Sequence, residues 1–256
     1  MTYSKHDVAT TVENPVPRLD STLTQRRIPG ILGGMGPEAT IDLFAKIVRS
    51  TKASKDQDHL RIIIDNNPAI PDRQKAILEN DVSPVELLVA TARNLEAAGA
   101  DFVVMPCNTA HYWIDDIRKA VGIPVVDMIK ETAEEIAGAY PSLRIVGILA
   151  ATGTVRSGLY QRNLGRLQIN CISPTDDDQS ALMSVIYSVK AGDLSKHSAA
   201  VEISRRVVRA GAEAIVAGCT EVPLVLKPAD LSVPLIDATQ VLASRTVDIA
   251  QGSRSL

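Results

Sequence analysis

Two stretches of the chain place a cysteine in a setting suited to chemistry: "MPCNTAHYW" at residues 105–113 and "VAGCTEVPL" at residues 216–224. Cys107 is followed by Asn108 and Thr109, and Cys219 by Thr220 and Glu221. Each ends an apolar run and opens a segment whose side chains suit a helix cap. Such a thiol lies near unpaired backbone N–H groups and the positive end of a helix. That setting is expected to lower its pKa from about 8.5 towards neutrality, giving a usable proton acceptor. Two thiols of this kind suit a reaction that needs a proton carrier on each of two opposite sides of one carbon. A lone cysteine would read more simply as a small buried hydrophobe. That simpler reading is kept for Cys171, inside the strand-like "LQINCISP". A zinc site usually needs four ligands, and no histidine or further cysteine falls at ligand spacing. No C-x-x-C pair is present either, so no metal is expected.

Other candidates surround the cysteines. "GMGPEA" at residues 34–39 formally matches the dinucleotide pattern G-x-G-x-x-A. Pro37 removes a backbone donor where a pyrophosphate would want one. Asp65, the acidic residue at the next strand end, falls beyond the spacing of about 20 residues that the pattern requires. Met35 and Gly36 are therefore read as a turn whose backbone approaches a small ligand. Arg73, in "NNPAIPDRQKAIL", could clamp a carboxylate with its guanidinium or serve as a solvated helix-start residue. Lys190, in "SVKAGD", could be a second cation or an ordinary helix-end lysine. "ATGT" at residues 151–154 offers the hydroxyls of Thr152 and Thr154. His111 falls one helical turn after Cys107, where it could tune the thiol or simply pack.

The elements that must position these residues show as short apolar runs alternating with helical stretches. "IPGILGG", "LRIIIDNN", "DFVVMPCN" and "IPVVDM" read as four buried strands. "EATIDLFAKIVRSTK" reads as an amphipathic helix with Ile41, Phe44, Ile47 and Val48 on one face. "PVELLVATARNLEAAGA" reads as another, closed by Gly99 as a C-cap. Continuous apolar strands separated by helices indicate a parallel sheet covered on both faces. The order then recurs. "RIVGILAATGTVRSGLYQRNL" mirrors "RIPGILGGMGPEATIDLFAKI", "AGAEAIVAGCTEVP" mirrors "AGADFVVMPCNTAH", and "LSVPLIDATQVLA" mirrors "VGIPVVDMIKETA". Gly30 to Cys107 and Gly147 to Cys219 are nearly equal separations, as are Cys107 to Pro124 and Cys219 to Pro234. The fold class is thus α/β, with two similar halves carrying one cysteine each at the carboxyl end of a strand. Ligands of open parallel sheets bind at those ends. Halves facing each other across a pseudo-two-fold axis would bring both thiols to one cleft.

Composition bounds the function. The chain has 256 residues, 45% of them hydrophobic, enough for one large α/β domain or two small ones. A net charge of −3 with no basic block, and 3% aromatics, give no support to nucleic-acid or anionic-membrane binding. No apolar run is long enough to span a bilayer. Three scattered cysteines suit a reducing compartment rather than a disulfide framework. The N-terminal "MTYSKHDVATTVENPVPRLDSTLTQRR" lacks the apolar core of a secretory signal and reads as a flexible extension. A cytoplasmic location is expected.

"GILGGMGPEAT", "NNPAIPDR", "PCNTAHYW", "ILAATGT" and "GCTEVPL" together resemble the aspartate/glutamate racemase superfamily, specifically its cofactor-independent aspartate racemase branch. The resemblance runs from about Ile28 to Ile249. It implies two Rossmann-like parallel-sheet domains related by a pseudo-two-fold axis, with the active site between them. The expected division is a 1–27 extension, a first domain of 28–127 plus the C-terminal helix 237–256, and a second domain of 128–236. It further implies a homodimer, no cofactor, and racemisation of a small substrate, aspartate or else glutamate or a broader set of acidic amino acids. Cys107 and Cys219 would be the catalytic pair. Met35, Gly36, Asn108, Thr109, Thr152, Thr154 and Thr220 would line the substrate site, with Arg73 and Lys190 as cations for the side-chain carboxylate. A relative whose cysteine acts as a nucleophile, such as a maleate-type isomerase, is the alternative enzyme. A binding protein that keeps the cleft without turnover is the alternative from another class. The sister glutamate racemases carry Asp-Ser-Gly where this chain has Gly33-Gly34-Met35, and Gly-Cys-Thr-His where it has Gly218 to Glu221. That departure leaves Glu221 as a candidate helper of Cys219. A cleft shared by two halves is expected to close by bringing the "CNT" and "ATGT" turns together.

Overall fold

The computed structural model describes residues 26–255; the expected extension lies, up to residue 25, outside the described residues. The first half runs β1 (Pro29–Gly33), α1 (Pro37–Ser50), β2 (Ile63–Asn66), α2 (Arg73–Leu78), α3 (Val85–Ala97), β3 (Phe102–Val104), a 3-10 turn (Thr109–Trp113), α4 (Ile114–Ala120) and α5 (Met128–Ala139). The second runs β4 (Ile145–Leu149), α6 (Thr152–Arg156), α7 (Leu159–Gly165), β5 (Asn170–Ile172), α8 (Asp176–Lys190), α9 (His197–Arg209), β6 (Ala214–Ala217), α10 (Val222–Val225), β7 (Leu235–Asp237) and α11 (Ala238–Ala250).

Two parallel sheets result, ordered β2-β1-β3 and β5-β4-β6-β7. The chain is the two-sheet α/β protein that its repeated pattern implies. Apolar side chains on both faces explain the continuous runs: every residue of β1, β3 and β6 is buried. The expected strand "IPVVDM" contracts to a single bridge, Val125 beside Val103. Val103 donates to the Pro124 carbonyl at 2.8 Å and Val126 donates back at 2.9 Å. Asp127 then caps α5 at once, accepting from the N–H groups of Ile129 and Lys130, so pairing has no room to continue.

The last helix of each half crosses over. Ile129, Ala133 and Ile136 of α5 pack with Val146 and Ile148 of β4 in the second half. Leu242, Ala243 and Val247 of α11 pack with Ile31, Phe102, Leu43 and Ile47 in the first. This exchange explains why, of the expected apolar face of α1, only Ile47 is buried. The buried residues of α1 are Ala39, Thr40, Leu43 and Ile47. Ile41 and Phe44 are 59% and 41% exposed, and Val48 is also exposed. The large residues drew attention to one stripe, while α11 and β1 select the neighbouring stripe that includes the small Ala39 and Thr40.

Candidate functional site

The carboxyl ends of the strands from both halves converge on one cavity of about 230 Å³. Its wall carries Cys107, Asn108 and Thr109 from the turn after β3, and Cys219, Thr220 and Glu221 from the turn after β6. Met35 and Gly36 arrive from the turn after β1, Arg73 from the start of α2, and Lys190 from the end of α8. Most residues expected at the site therefore share one wall, drawn from both halves. Thr152 and Thr154, expected to line the site, are not on this wall. The Thr152 hydroxyl accepts from Gln179 Nε2 at 3.2 Å, and the buried Thr154 hydroxyl bonds that of Thr109 at 2.8 Å.

Local chemistry fixes each turn. Gly34 has φ of +94°, and a Cβ there would come within 2.3 Å of the Asn67 backbone, so only glycine can carry the Met35–Gly36 turn past β2. Gly34 N–H donates to the Thr40 hydroxyl at 3.0 Å, tying that turn to α1. Arg73 presses one edge of its guanidinium on three carbonyls. Nη1 donates to Ile70 and Pro71 at 2.9 and 2.7 Å, and Nη2 donates to Met35 at 3.4 Å. The arginine thus braces the loop after β2 against the glycine turn while facing the cavity.

The capping role expected of the residues after each cysteine is not what the structure shows. Asn108 stands at an N-cap but makes no side-chain cap bond, and Glu221 rather than the expected Thr220 stands at the N-cap of α10, also without one. Asn108 Oδ1 instead accepts from the Tyr160 hydroxyl at 2.6 Å, across the two halves. That bond sets the amide so that Nδ2, buried and without a partner among the described residues, is left as a donor. Tyr160 on α7 was not singled out from sequence, and neither was Gln74. Gln74 Oε1 accepts from Gly153 N–H at 2.6 Å, and its Nε2 donates to the Thr109 hydroxyl at 3.1 Å. With the Thr109–Thr154 bond, Gln74 joins the "CNT" and "ATGT" turns directly. The two turns expected to approach each other on closure are in contact in this structure.

The expected lowering of both thiol pKa values also needs correction at Cys219. Burial pushes its thiol well above the ordinary cysteine value, and the Glu221 carboxylate adds to this while Lys190 works against it. The helix that should have favoured the thiolate is α10, only four residues long, so it offers little dipole. The Cys219 thiol donates to Glu221 Oε2 at 2.9 Å, and Thr220 Oγ1 donates to the same oxygen at 3.2 Å. Glu221 Oε1 accepts from Lys190 Nζ at 2.5 Å. Burial opposes the Lys190 ammonium, but Glu221 and the two thiol sites outweigh it and hold its pKa above the usual lysine value.

His111 is a packing residue in this arrangement. It is fully buried, which lowers its pKa and keeps the ring neutral. Nε2 accepts from Met128 N–H at 3.1 Å, so Nδ1 carries the proton and donates to the Cys107 carbonyl at 2.8 Å. The ring pins the Cys107 turn to the start of α5 without touching the thiol through a hydrogen bond. Cys171, half-buried on β5, is outside the cavity wall.

Residues 32–246 match the profile of the Asp/Glu/Hydantoin racemase family. The broad specificity amino-acid racemase RacX of Bacillus subtilis (strain 168) is 29% identical over 228 residues, covering 85% of this chain and 96% of that protein. Among solved structures, the aspartate racemase of Picrophilus torridus superposes with a TM-score of 0.77 at 34% identity, over 88% of this chain and 94% of its own. An aspartate racemase homologue from Pyrococcus horikoshii OT3 gives 0.71 at 26% identity, over 88% and 99%. A shared profile across both halves, on a matching two-sheet frame, leaves one conclusion: the chain belongs to the Asp/Glu/Hydantoin racemase family.

Proposed function

We propose that the protein interconverts L- and D-aspartate without pyridoxal phosphate, using Cys107 and Cys219 as the two bases. The observation that carries this reading is a single cavity walled by two cysteines, each from the equivalent turn of a repeated half. One cysteine, as thiolate, removes the Cα proton. The other, as thiol, delivers a proton to the opposite face, and the roles reverse for the other enantiomer. The backbone N–H groups of Asn108, Thr109 and Thr220, which make no backbone hydrogen bond among the described residues, hold the α-carboxylate where charge accumulates. The unpartnered Nδ2 of Asn108 adds a donor there. Arg73 and Lys190 are the cations on the wall and receive the distal carboxylate. In this reading residues 28–127 with 237–256 form one catalytic unit and 128–236 the other.

Two observations support a wider substrate range as a second reading. Lys190 already has a carboxylate partner in Glu221, and Arg73 spends one edge on backbone carbonyls. The similarity to a broad specificity amino-acid racemase points the same way. Pure protein incubated with single enantiomers of aspartate, glutamate and a neutral amino acid, with no added cofactor, distinguishes the readings by chiral chromatography. Loss of enantiomeric excess for aspartate well ahead of the others supports the first. Equal turnover of a neutral amino acid supports the second, and no turnover of any contradicts both.

A further inference from the structure

The mechanism above treats the two thiols as equals, but their surroundings differ. The Sγ of Cys107 makes no side-chain hydrogen bond among the described residues, whereas that of Cys219 donates to Glu221 Oε2 at 2.9 Å. Glu221 is 4% exposed, and its second oxygen is held by Lys190 at 2.5 Å. A carboxylate oxygen can only accept, so this geometry requires the proton to sit on sulfur or to have moved to oxygen. We propose that Glu221 is a positioning residue that divides the labour of the pair: it holds Cys219 as the proton donor, leaving Cys107 to act first as the base. This assignment rests on the two-thiol reading.

The arrangement also supplies the reverse role. For the enantiomer whose Cα hydrogen faces Cys219, the S–H bond must break first. Its proton passes to Glu221 Oε2, the electron pair stays on sulfur, and a thiolate beside a carboxylic acid replaces a thiol beside a carboxylate with no change in net charge. The thiolate then takes the Cα proton, and Cys107 in its thiol form protonates the opposite face. Lys190 sets how readily Glu221 accepts. A distal substrate carboxylate that draws the ammonium away leaves Glu221 a better proton acceptor. Other titratable groups facing Cys219 are Tyr187 and Lys190 from α8 and Tyr160 from α7, with Cys107, Glu38, Asp72 and Arg73 elsewhere on the same wall.

Site-by-site alkylation of the full chain by iodoacetamide, followed by peptide mass spectrometry from pH 6 to 9.5, tests this without turnover. Alkylation follows the thiolate fraction. Glu221→Gln removes the negative charge and should speed Cys219 alkylation at pH 7.5 on the order of tenfold, moving its pH profile down by about one unit, with Cys107 little changed. Lys190→Met removes the counter-charge and should slow Cys219 instead. Loosened packing would speed both variants, so opposite signs are the signature of the proposal. An unchanged Cys219 profile in Glu221→Gln, or shifts of the same sign in both variants, overturns it. Should Glu221→Gln fail to fold, Lys190→Met decides alone: slower supports, unchanged or faster overturns. A wild-type protein that shows these profiles but leaves aspartate untouched would contradict the substrate reading and not this one.

Discussion

Cys171 shows that place in the fold, not burial, distinguishes the proposed catalytic cysteines, since it is half-buried while Cys107 and Cys219 are buried. It shares the side-chain chemistry of Cys107 and Cys219 but lies on β5, away from the cavity. Burial raises its pKa to about 11, above the roughly 8.5 of an unfolded cysteine. The fold therefore disfavours its thiolate, so its contribution to stability is complete below about pH 8.5 and is lost as pH climbs towards 11. The buried Cys219 thiol adds a contribution of the same sign. Melting temperature should fall over this range, and Cys171→Ala should make the decline shallower while keeping racemase activity within about twofold of wild type. An unchanged alkaline slope, or loss of activity, would contradict that assignment. The residues were legible from sequence in type and spacing but not in charge state. The repeat marked Cys107 and Cys219 because both end apolar strands. The raised pKa at Cys219 depends on the reach of Glu221 and Lys190 into one pocket, and Lys190 lies 31 residues away from Glu221.

At the scale of elements, strands and repeat were readable because a buried parallel strand has nothing but apolar neighbours, and β1, β3 and β6 show that burial. The buried face of α1 was not, because its choice between two stripes is made by α11, far along the chain. Tyr160 was invisible for a similar reason: its hydroxyl reaches Asn108 across 52 residues from a helix with no distinguishing motif. Gly218 makes that reach possible, since a Cβ there would come within 2.9 Å of the Tyr160 ring. Tyr160→Phe should cost about 1 kcal/mol of stability by leaving Asn108 Oδ1 unpaired. Its larger effect should be on substrate, because the amide is no longer held with Nδ2 available. A rise in KM of several-fold, beyond what the loss in melting temperature explains, is the expected result. Kinetics unchanged in Tyr160→Phe would mean that Asn108 does not touch the substrate.

For the whole molecule, the halves are bound by more than the cavity. Arg245 on α11 reaches Glu131 and Glu135 on α5 at 3.2 and 2.7 Å, and Arg254 reaches Glu131 at 2.9 Å. These pairs link α5 to α11 and to the segment that follows it. No helix among the described residues is long and apolar enough to cross a membrane. What the molecule leaves open is the outer stripe of α1, where Ile41 and Phe44 adjoin Ile64 on the edge strand β2 beside a groove of about 220 Å³. Apolar groups clustered on an unpaired sheet edge are a natural contact for a second copy. If the protein is a homodimer through this face, Phe44→Glu should convert it to a monomer in sedimentation at micromolar concentration. A variant that sediments as wild type would place any dimer contact elsewhere.

The central claim is that Cys107 and Cys219 act on opposite faces of one carbon, and enzymes that keep only one of these two cysteines test it most directly. In Cys107→Ser and Cys219→Ser, full racemisation of aspartate should be lost, because a serine hydroxyl is too weak an acid to supply a base near neutral pH. Each mutant keeps one thiol of the pair, so it should still exchange the Cα hydrogen of one enantiomer with deuterium oxide, or eliminate a leaving group from a β-substituted analogue. The measurement is the rate of that half-reaction for the L and D forms in both mutants. The account predicts opposite enantiomer preferences, one for each cysteine. Equal processing of the same enantiomer by both mutants, or full racemase activity in either, would contradict it.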